Sequence, residues 1–184
     1  MVDIYRSNAV ANFEHGHRRE FLAALINQMK WTRGAELGLR TGETFFHLLD
    51  NCPTLEKLYG VDNWLPYDEL WATAEKQAEN KATVFAKAPN YKKGHIMNGE
   101  TIRMCDFVAA SSLDFIFIDA NHTTEAVTQD IQLWAPKVKP DGWIIGHDIN
   151  WVSVYQALPK FTNLFLTGPD NCWAFPKAFI KEHS

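Results

Sequence analysis

Two aspartate–histidine pairs carry the residue types best suited to chemistry in this chain, Asp119 with His122 and His147 with Asp148. Each follows a short apolar run, Leu113-Asp-Phe-Ile-Phe-Ile118 in the first case and Gly142-Trp-Ile-Ile-Gly146 in the second. Runs of this kind read as strands buried on both faces. Their polar ends then lie at the carboxyl edge of a parallel sheet, where ligands bind. Asp62 ends a third run, Leu58-Tyr-Gly-Val61. Three strand-end carboxylates on one rim, with no Lys or Arg partner predicted, repel one another unless ligand hydroxyls or a cation satisfies them. Asp119 and Asp148, with His147 or Asn150 beside them, would give the oxygen-rich partial shell that magnesium accepts. His122, on the loop after its strand, could take a proton from a hydroxyl at neutral pH. The plainer alternative is that each aspartate caps a helix, that His122 faces solvent, and that His147 is a neutral histidine packed at a strand end.

The elements that would position these groups alternate in type. Leu22, Leu25, Ile26 and Met29 recur at helical spacing and predict a helix over 18–30. A strand over 34–39 then leads through Arg40-Thr-Gly42-Glu to a helix over 44–49. Strand, glycine-bearing turn and helix make a cradle in which the backbone can approach a ligand. The spacing Glu36-x-Gly38-x-x-x-Gly42 is not the Gly-x-Gly-x-x-Gly of dinucleotide sites, which disfavours an NAD-linked oxidoreductase. Asp62, about 20 residues past that turn, stands where ribose hydroxyls are held in nucleoside-binding sheets. A helix is expected over 68–87, a weak strand over 94–98, and a helix opening at Gly99-Glu100-Thr101. Thr123 and Thr124 are candidate caps for a helix carrying Val127, Ile131 and Trp134. Lys139-Pro-Asp-Gly142 has turn chemistry before a strand over 142–148. Apolar runs at 163–167 and 172–175 read as a closing hairpin. The fold class predicted is therefore α/β, with a doubly wound, mostly parallel sheet.

Composition bounds the rest. With 184 residues, 46% apolar and 22% charged, the chain suits a single domain. Residues 1–17 form an N-terminal arm or lid in this reading, and His15-Gly-His17 is a minor candidate for a metal. A net charge of -4 argues against a nucleic-acid partner. Cys52, Cys105 and Cys172 are odd in number and widely spaced, so buried thiols are expected rather than a disulfide framework or a zinc site. No signal-peptide core or membrane-length apolar run is evident, and the cytoplasm is the default location.

These motifs together resemble the class I S-adenosylmethionine-dependent methyltransferases, over nearly the whole chain. Glu36-Leu-Gly38-Leu-Arg-Thr-Gly42 is similar to the family's first motif, where the glycines admit the methionine end of the cofactor. Asp62, with Asn63 beside it, matches the acidic residue at the ribose, and Gly99-Glu100-Thr101 the turn beside the adenine. The family fold has about seven strands in a Rossmann-like sheet with an antiparallel C-terminal strand. Ile118-Asp-Ala-Asn-His122 and Lys139-Pro-Asp-Gly-Trp-Ile-Ile-Gly-His-Asp148 resemble the subgroup of small-molecule, sugar- and catechol-type O-methyltransferases. That resemblance implies magnesium on Asp119 and Asp148 and His122 as the base, while His147 is a candidate metal ligand from its place beside Asp148 alone. The residue before Asp148 is usually acidic in metal-binding members and is His147 here. Arg40 stands where many members carry a glycine. The reading implied is metal-assisted O-methylation of a small-molecule acceptor. The alternatives are a metal-independent methyltransferase, or a non-catalytic scaffold subunit of the same fold. Residues 1–17 and the loop around Trp64 to Tyr67 are the expected walls of the acceptor site, and a homo-oligomer could supply others.

Overall fold

The computed structural model describes residues 16–181 apart from Glu69 and Trp71. Of the expected arm over 1–17, residues 1–15, including His15, lie outside the described residues. Helix α1 (Arg18–Met29) buries Leu22, Leu25 and Ile26 of the predicted stripe and Phe21 beside them, leaves Met29 partly buried, and stops where Lys30 turns left-handed. It leads into alternating elements: β1 (Arg33–Leu37), α2 (Glu43–Asn51), β2 (Lys57–Asp62), α3 (Ala74–Lys87), β3 (Gly94–Asn98), α4 (Thr101–Met104), β4 (Leu113–Ile118), α5 (Thr124–Trp134), β5 (Val138–Gly146) and α6 (Val152–Ala157). Two short strands, β6 (Leu166–Thr167) and β7 (Trp173–Pro176), follow.

The seven strands lie in the order β3-β2-β1-β4-β5-β7-β6. Pairings are parallel from β3 through β5, whereas β7 runs antiparallel to both β5 and β6. The chain winds outward from β1 in one direction and from β4 in the other. The crevice between their carboxyl ends is therefore the topological switch point, the usual ligand site of an open α/β sheet. Strand β4 alternates its two buried faces. Phe115 and Phe117 join the core beneath α1 and α2, and Ile116 and Ile118 join the core beneath α5 and α6. Both faces are apolar, so the strand is fixed at the centre and its polar continuation must emerge at the rim.

Three local features depart from the sequence reading. Helix α3 begins at Ala74 rather than near 68, because Thr73 is its cap and accepts the Lys76 N–H at 3.2 Å. Lys139–Gly142 does not precede β5 but bulges from it, since Leu113 pairs with Val138 and Phe115 with Trp143. The turn chemistry is real, and it serves a bulge opposite Asp114. Asp114 itself interrupts the apolar run because its Oδ2 accepts the Thr32 and Arg33 N–H groups at 2.7 and 2.8 Å while Oδ1 meets Lys139 Nζ. That knot ties the amino ends of β1 and β4 together, on the edge opposite the rim.

Candidate functional site

The turn after β1 is built around two glycines with positive φ, Gly38 at 92° and Gly42 at 74°. A side chain on Gly38 would overlap the Asp119 carbonyl, so this glycine brings the β1 turn against the end of β4. Arg40 is also left-handed, at φ 51°, and its main chain is pinned on both sides. Asp62 Oδ2 accepts the Leu39 and Arg40 N–H groups at 2.9 and 2.8 Å, and Trp64 Nε1 donates to the Arg40 carbonyl at 2.9 Å. Asp62 Oδ1 takes the Trp64 N–H at 2.7 Å. Glu36, on β1 below this turn, is fully buried and its Oε2 has no hydrogen-bond partner. Burial pushes its carboxyl well above the usual range, and the charges of Asp119 and Asp62 add to the shift while Arg18 opposes it. A buried carboxyl oxygen without a hydrogen-bond partner beside a glycine cradle fits a ligand carrying a cationic or hydroxyl group.

Across the switch point, Asp119 and Asp148 converge. His122 Nε2 lies 2.8 Å from Asp148 Oδ2 and 3.5 Å from Asp119 Oδ1. His147 Nδ1 lies 3.2 and 3.5 Å from the same two oxygens. The His122 approaches are close but poorly directed, and its Nε2 has no hydrogen bond despite being buried. Arg18 Nε stands 3.4 Å from Asp119 Oδ2, and Asp170 Oδ2 lies 3.4 Å from Arg18 Nη1 and 3.7 Å from His147 Nε2. The electrostatics follow from this packing. The Asp119 carboxylate, then that of Asp148, pushes His122 up to about 9 against the effect of burial. Burial would lower His147, yet the same two carboxylates push it up to about 10. Burial would raise Asp119 and Asp148, but the two imidazoles hold both below the usual carboxylate range. Asp119, His122 and Asp148 each offer one ligand atom, all within 4.8 Å of one another, a set that fits a divalent ion.

A family described as a methyltransferase domain matches residues 35–149, from β1 to just beyond Asp148. The chain belongs to this family of class I S-adenosylmethionine-dependent methyltransferases. Solved methyltransferases share its fold. The S-adenosylhomocysteine-bound Podospora anserina methyltransferase PaMTH1 superposes with a TM-score of 0.65 at 14% identity, over 90% of this chain and 78% of its own. A candidate caffeoyl-CoA O-methyltransferase from Staphylococcus aureus gives 0.61 at 16%, over 90% and 85%. Spermidine synthase from Thermotoga maritima gives 0.56 at 18%, over 88% and 59%. No curated protein sequence matches the chain. The fold thus serves more than one transferred group, and the acceptor chemistry has to be argued from the site.

In this methyltransferase, the residues singled out in the sequence fall into two groups. Glu36, Gly38, Asp119, His122, His147 and Asp148 gather at the switch point. Gly42 caps α2 and packs against Phe46. Asp62 and Asn63 stand one strand away at the end of β2, where Asn63 Oδ1 accepts the Leu65 N–H at 3.0 Å. Glu100 is paired with Arg103 at 3.1 Å, and the Thr101 hydroxyl is donated to Asp130. The sequence reading found no cationic partner for the rim aspartates. The structure corrects this, because Arg18 reaches Asp119 from the start of α1. Asp170, from the β6–β7 turn, is a further site residue that the sequence does not single out, and His17, a minor metal candidate in the sequence, has its Nδ1 3.7 Å from it. Trp64 is not an open wall of the site but is buried, with its ring against Phe85. On the His122 side the exposed aromatic is Trp151, whose ring centroid is 5.0 Å from that of the imidazole.

Proposed function

We propose that the protein transfers a methyl group from S-adenosylmethionine to a hydroxyl of a small-molecule acceptor, with a divalent ion at Asp119 and Asp148. One observation carries this reading: Gly38 brings the cofactor-type turn into contact with the backbone of Asp119, so a methyl donor seated on that turn would face the acidic corner. Glu36 and the Gly38 turn would receive the methionine end, and Asp62, with one carboxylate oxygen not fully used, the ribose. An acceptor lying over Asp119 and Asp148 would present its oxygen in line with the sulfonium methyl. The acceptor's O–H bond breaks with its proton passing toward His122, a carbon–oxygen bond forms, the carbon–sulfur bond breaks, and the electron pair stays on sulfur.

A divalent ion bound here would lower the pKa of an acceptor hydroxyl toward neutrality. Without an ion the two carboxylates push the His122 imidazole up to about 9; a divalent ion on the same carboxylates would oppose that shift and leave Nε2, which has no hydrogen-bond partner, to take the hydroxyl proton as the base. Trp151 beside His122 supplies an apolar plate for the acceptor. The test is transfer of an isotopically labelled methyl group to a panel of small hydroxyl compounds, with and without chelator. Transfer abolished by Asp119→Ala and by chelation supports the reading; transfer indifferent to chelator removes the ion from it.

A further inference from the structure

Asp130 is a charged residue that neither the acidic corner nor the methyl transfer uses. It lies in the middle of α5, 2% exposed, on the buried face with Val127, Ile131 and Trp134. Burying a carboxyl costs free energy that an apolar side chain of similar size would not, so its place here needs a reason. Its hydrogen-bond donor is the Thr101 hydroxyl, at 2.5 Å. Trp134, one helical turn further on and fully buried, donates its Nε1–H to the Thr101 carbonyl at 3.1 Å. Helix α5 thus grips one residue of α4 by both its side chain and its main chain.

Thr101 opens a helix of only four residues, Thr101–Met104, whose cap Glu100 makes no side-chain capping bond, and it follows β3, the edge strand of the sheet. A single helical turn at a sheet edge is poorly held by its own hydrogen bonds, so the grip from α5 supplies what the turn lacks. The Gly99–Thr101 turn stands at the carboxyl rim, joined to the site by the Gly99 N–H, which donates to the Asp62 carbonyl at 2.9 Å. The Gly38 turn, Asp62 and Glu100 therefore follow one another along the ends of β1, β2 and β3. Adjacent strands lie about 4.8 Å apart, so this row extends about 10 Å from the methyl-transfer end, far enough for the base of a nucleoside to reach the Glu100 turn. We propose that Asp130 and Trp134 are positioning residues for the cofactor's adenine, holding the Glu100–Thr101 turn at the height where its main chain meets the edge of the base. The inference rests on the methyltransferase reading above and adds to it a helix that lies outside the glycine cradle. The same helix starts beside His122, where the Thr123 hydroxyl accepts the Ala126 N–H at 3.2 Å. One element thereby sets the two ends of the site against each other.

The experiment titrates the full chain calorimetrically with S-adenosylhomocysteine and with S-inosylhomocysteine, whose base carries an oxygen in place of adenine's amino group. The wild type should favour S-adenosylhomocysteine by at least ~5-fold, because a main-chain edge that pairs with the amino group leaves the oxygen unmatched. Asp130→Leu removes the acceptor, and Trp134→Phe keeps a ring while removing the N–H donor. Each should weaken S-adenosylhomocysteine by about 5- to 10-fold and narrow the base preference to within about 2-fold. Asp130→Asn, whose oxygen still accepts the Thr101 hydroxyl, should stay within about 2-fold of the wild type. Urea unfolding of the same variants reads stability separately, so a merely structural role would move stability and leave the base preference intact. No base preference in the wild type, a preference unchanged in the variants, or Asp130→Asn as weak as Asp130→Leu would each overturn the proposal. If Asp130→Leu fails to fold, Trp134→Phe decides. No binding of S-adenosylhomocysteine by the folded wild type would sink the methyltransferase reading, whereas wild-type binding that both variants leave unchanged would sink this inference alone.

Discussion

Asp130 on α5 is buried with the Thr101 hydroxyl as its hydrogen-bond donor, and burial raises its carboxyl from an ordinary 3.8 to about 6 against the effect of that bond. The folded protein therefore holds a proton that the unfolded chain releases, and the stability linked to Asp130 is fully present below pH 3.8 and lost as pH rises through about 6. The shift between those two values is worth about 3 kcal/mol at 1.36 kcal/mol per unit, as an upper bound. Asp130→Asn keeps an oxygen to accept the Thr101 hydroxyl and removes the ionisation. Urea unfolding of both proteins at pH 4 and at pH 7 isolates this effect, because the other groups cancel in the difference. The asparagine variant should gain up to about 3 kcal/mol on the wild type between those conditions. A difference constant to within about 0.5 kcal/mol would refute the reasoning.

At alkaline pH a second loss is expected. His122 and His147 are raised to about 9 and about 10, so their ion pairs stabilise the fold below the ordinary histidine value and are lost as pH rises through 9 to 10. Asp148→Asn removes one shared partner and should flatten that decline in urea titrations at pH 7 and 9.5; an unchanged slope would argue against the network. Gly38→Ala puts a side chain at φ 92° against the Asp119 carbonyl, and should cost at least about 2 kcal/mol and eliminate cofactor binding by calorimetry. Asp114→Ala strands the Thr32 and Arg33 N–H groups at the far end of β4 and should cost about 2–3 kcal/mol in urea while leaving cofactor affinity unchanged.

The parts legible in the sequence were those with a local period or a local turn. The Phe/Ile run of β4 gave its place at the sheet centre, because only a strand covered on both faces tolerates such residues throughout. The Glu36–Gly42 turn was legible because glycine has few other reasons to stand there. The illegible parts depend on contacts between distant segments. Arg18 looks like any helix-start cation, and Asp170 like any hairpin residue, until the fold brings both to the aspartates at the ends of β4 and β5. Thr101 was read as part of a cofactor turn, yet its hydroxyl is spent on Asp130, more than one element away. The Lys139–Gly142 bulge needed the register of β4 against β5, which local turn chemistry does not contain.

The most direct test of the methyltransferase account is calorimetric titration of the wild-type chain with S-adenosylhomocysteine. One-site binding that disappears in Gly38→Ala but persists in Asp114→Ala is the predicted result. No heat of binding at millimolar ligand, in protein shown to be folded, would contradict it.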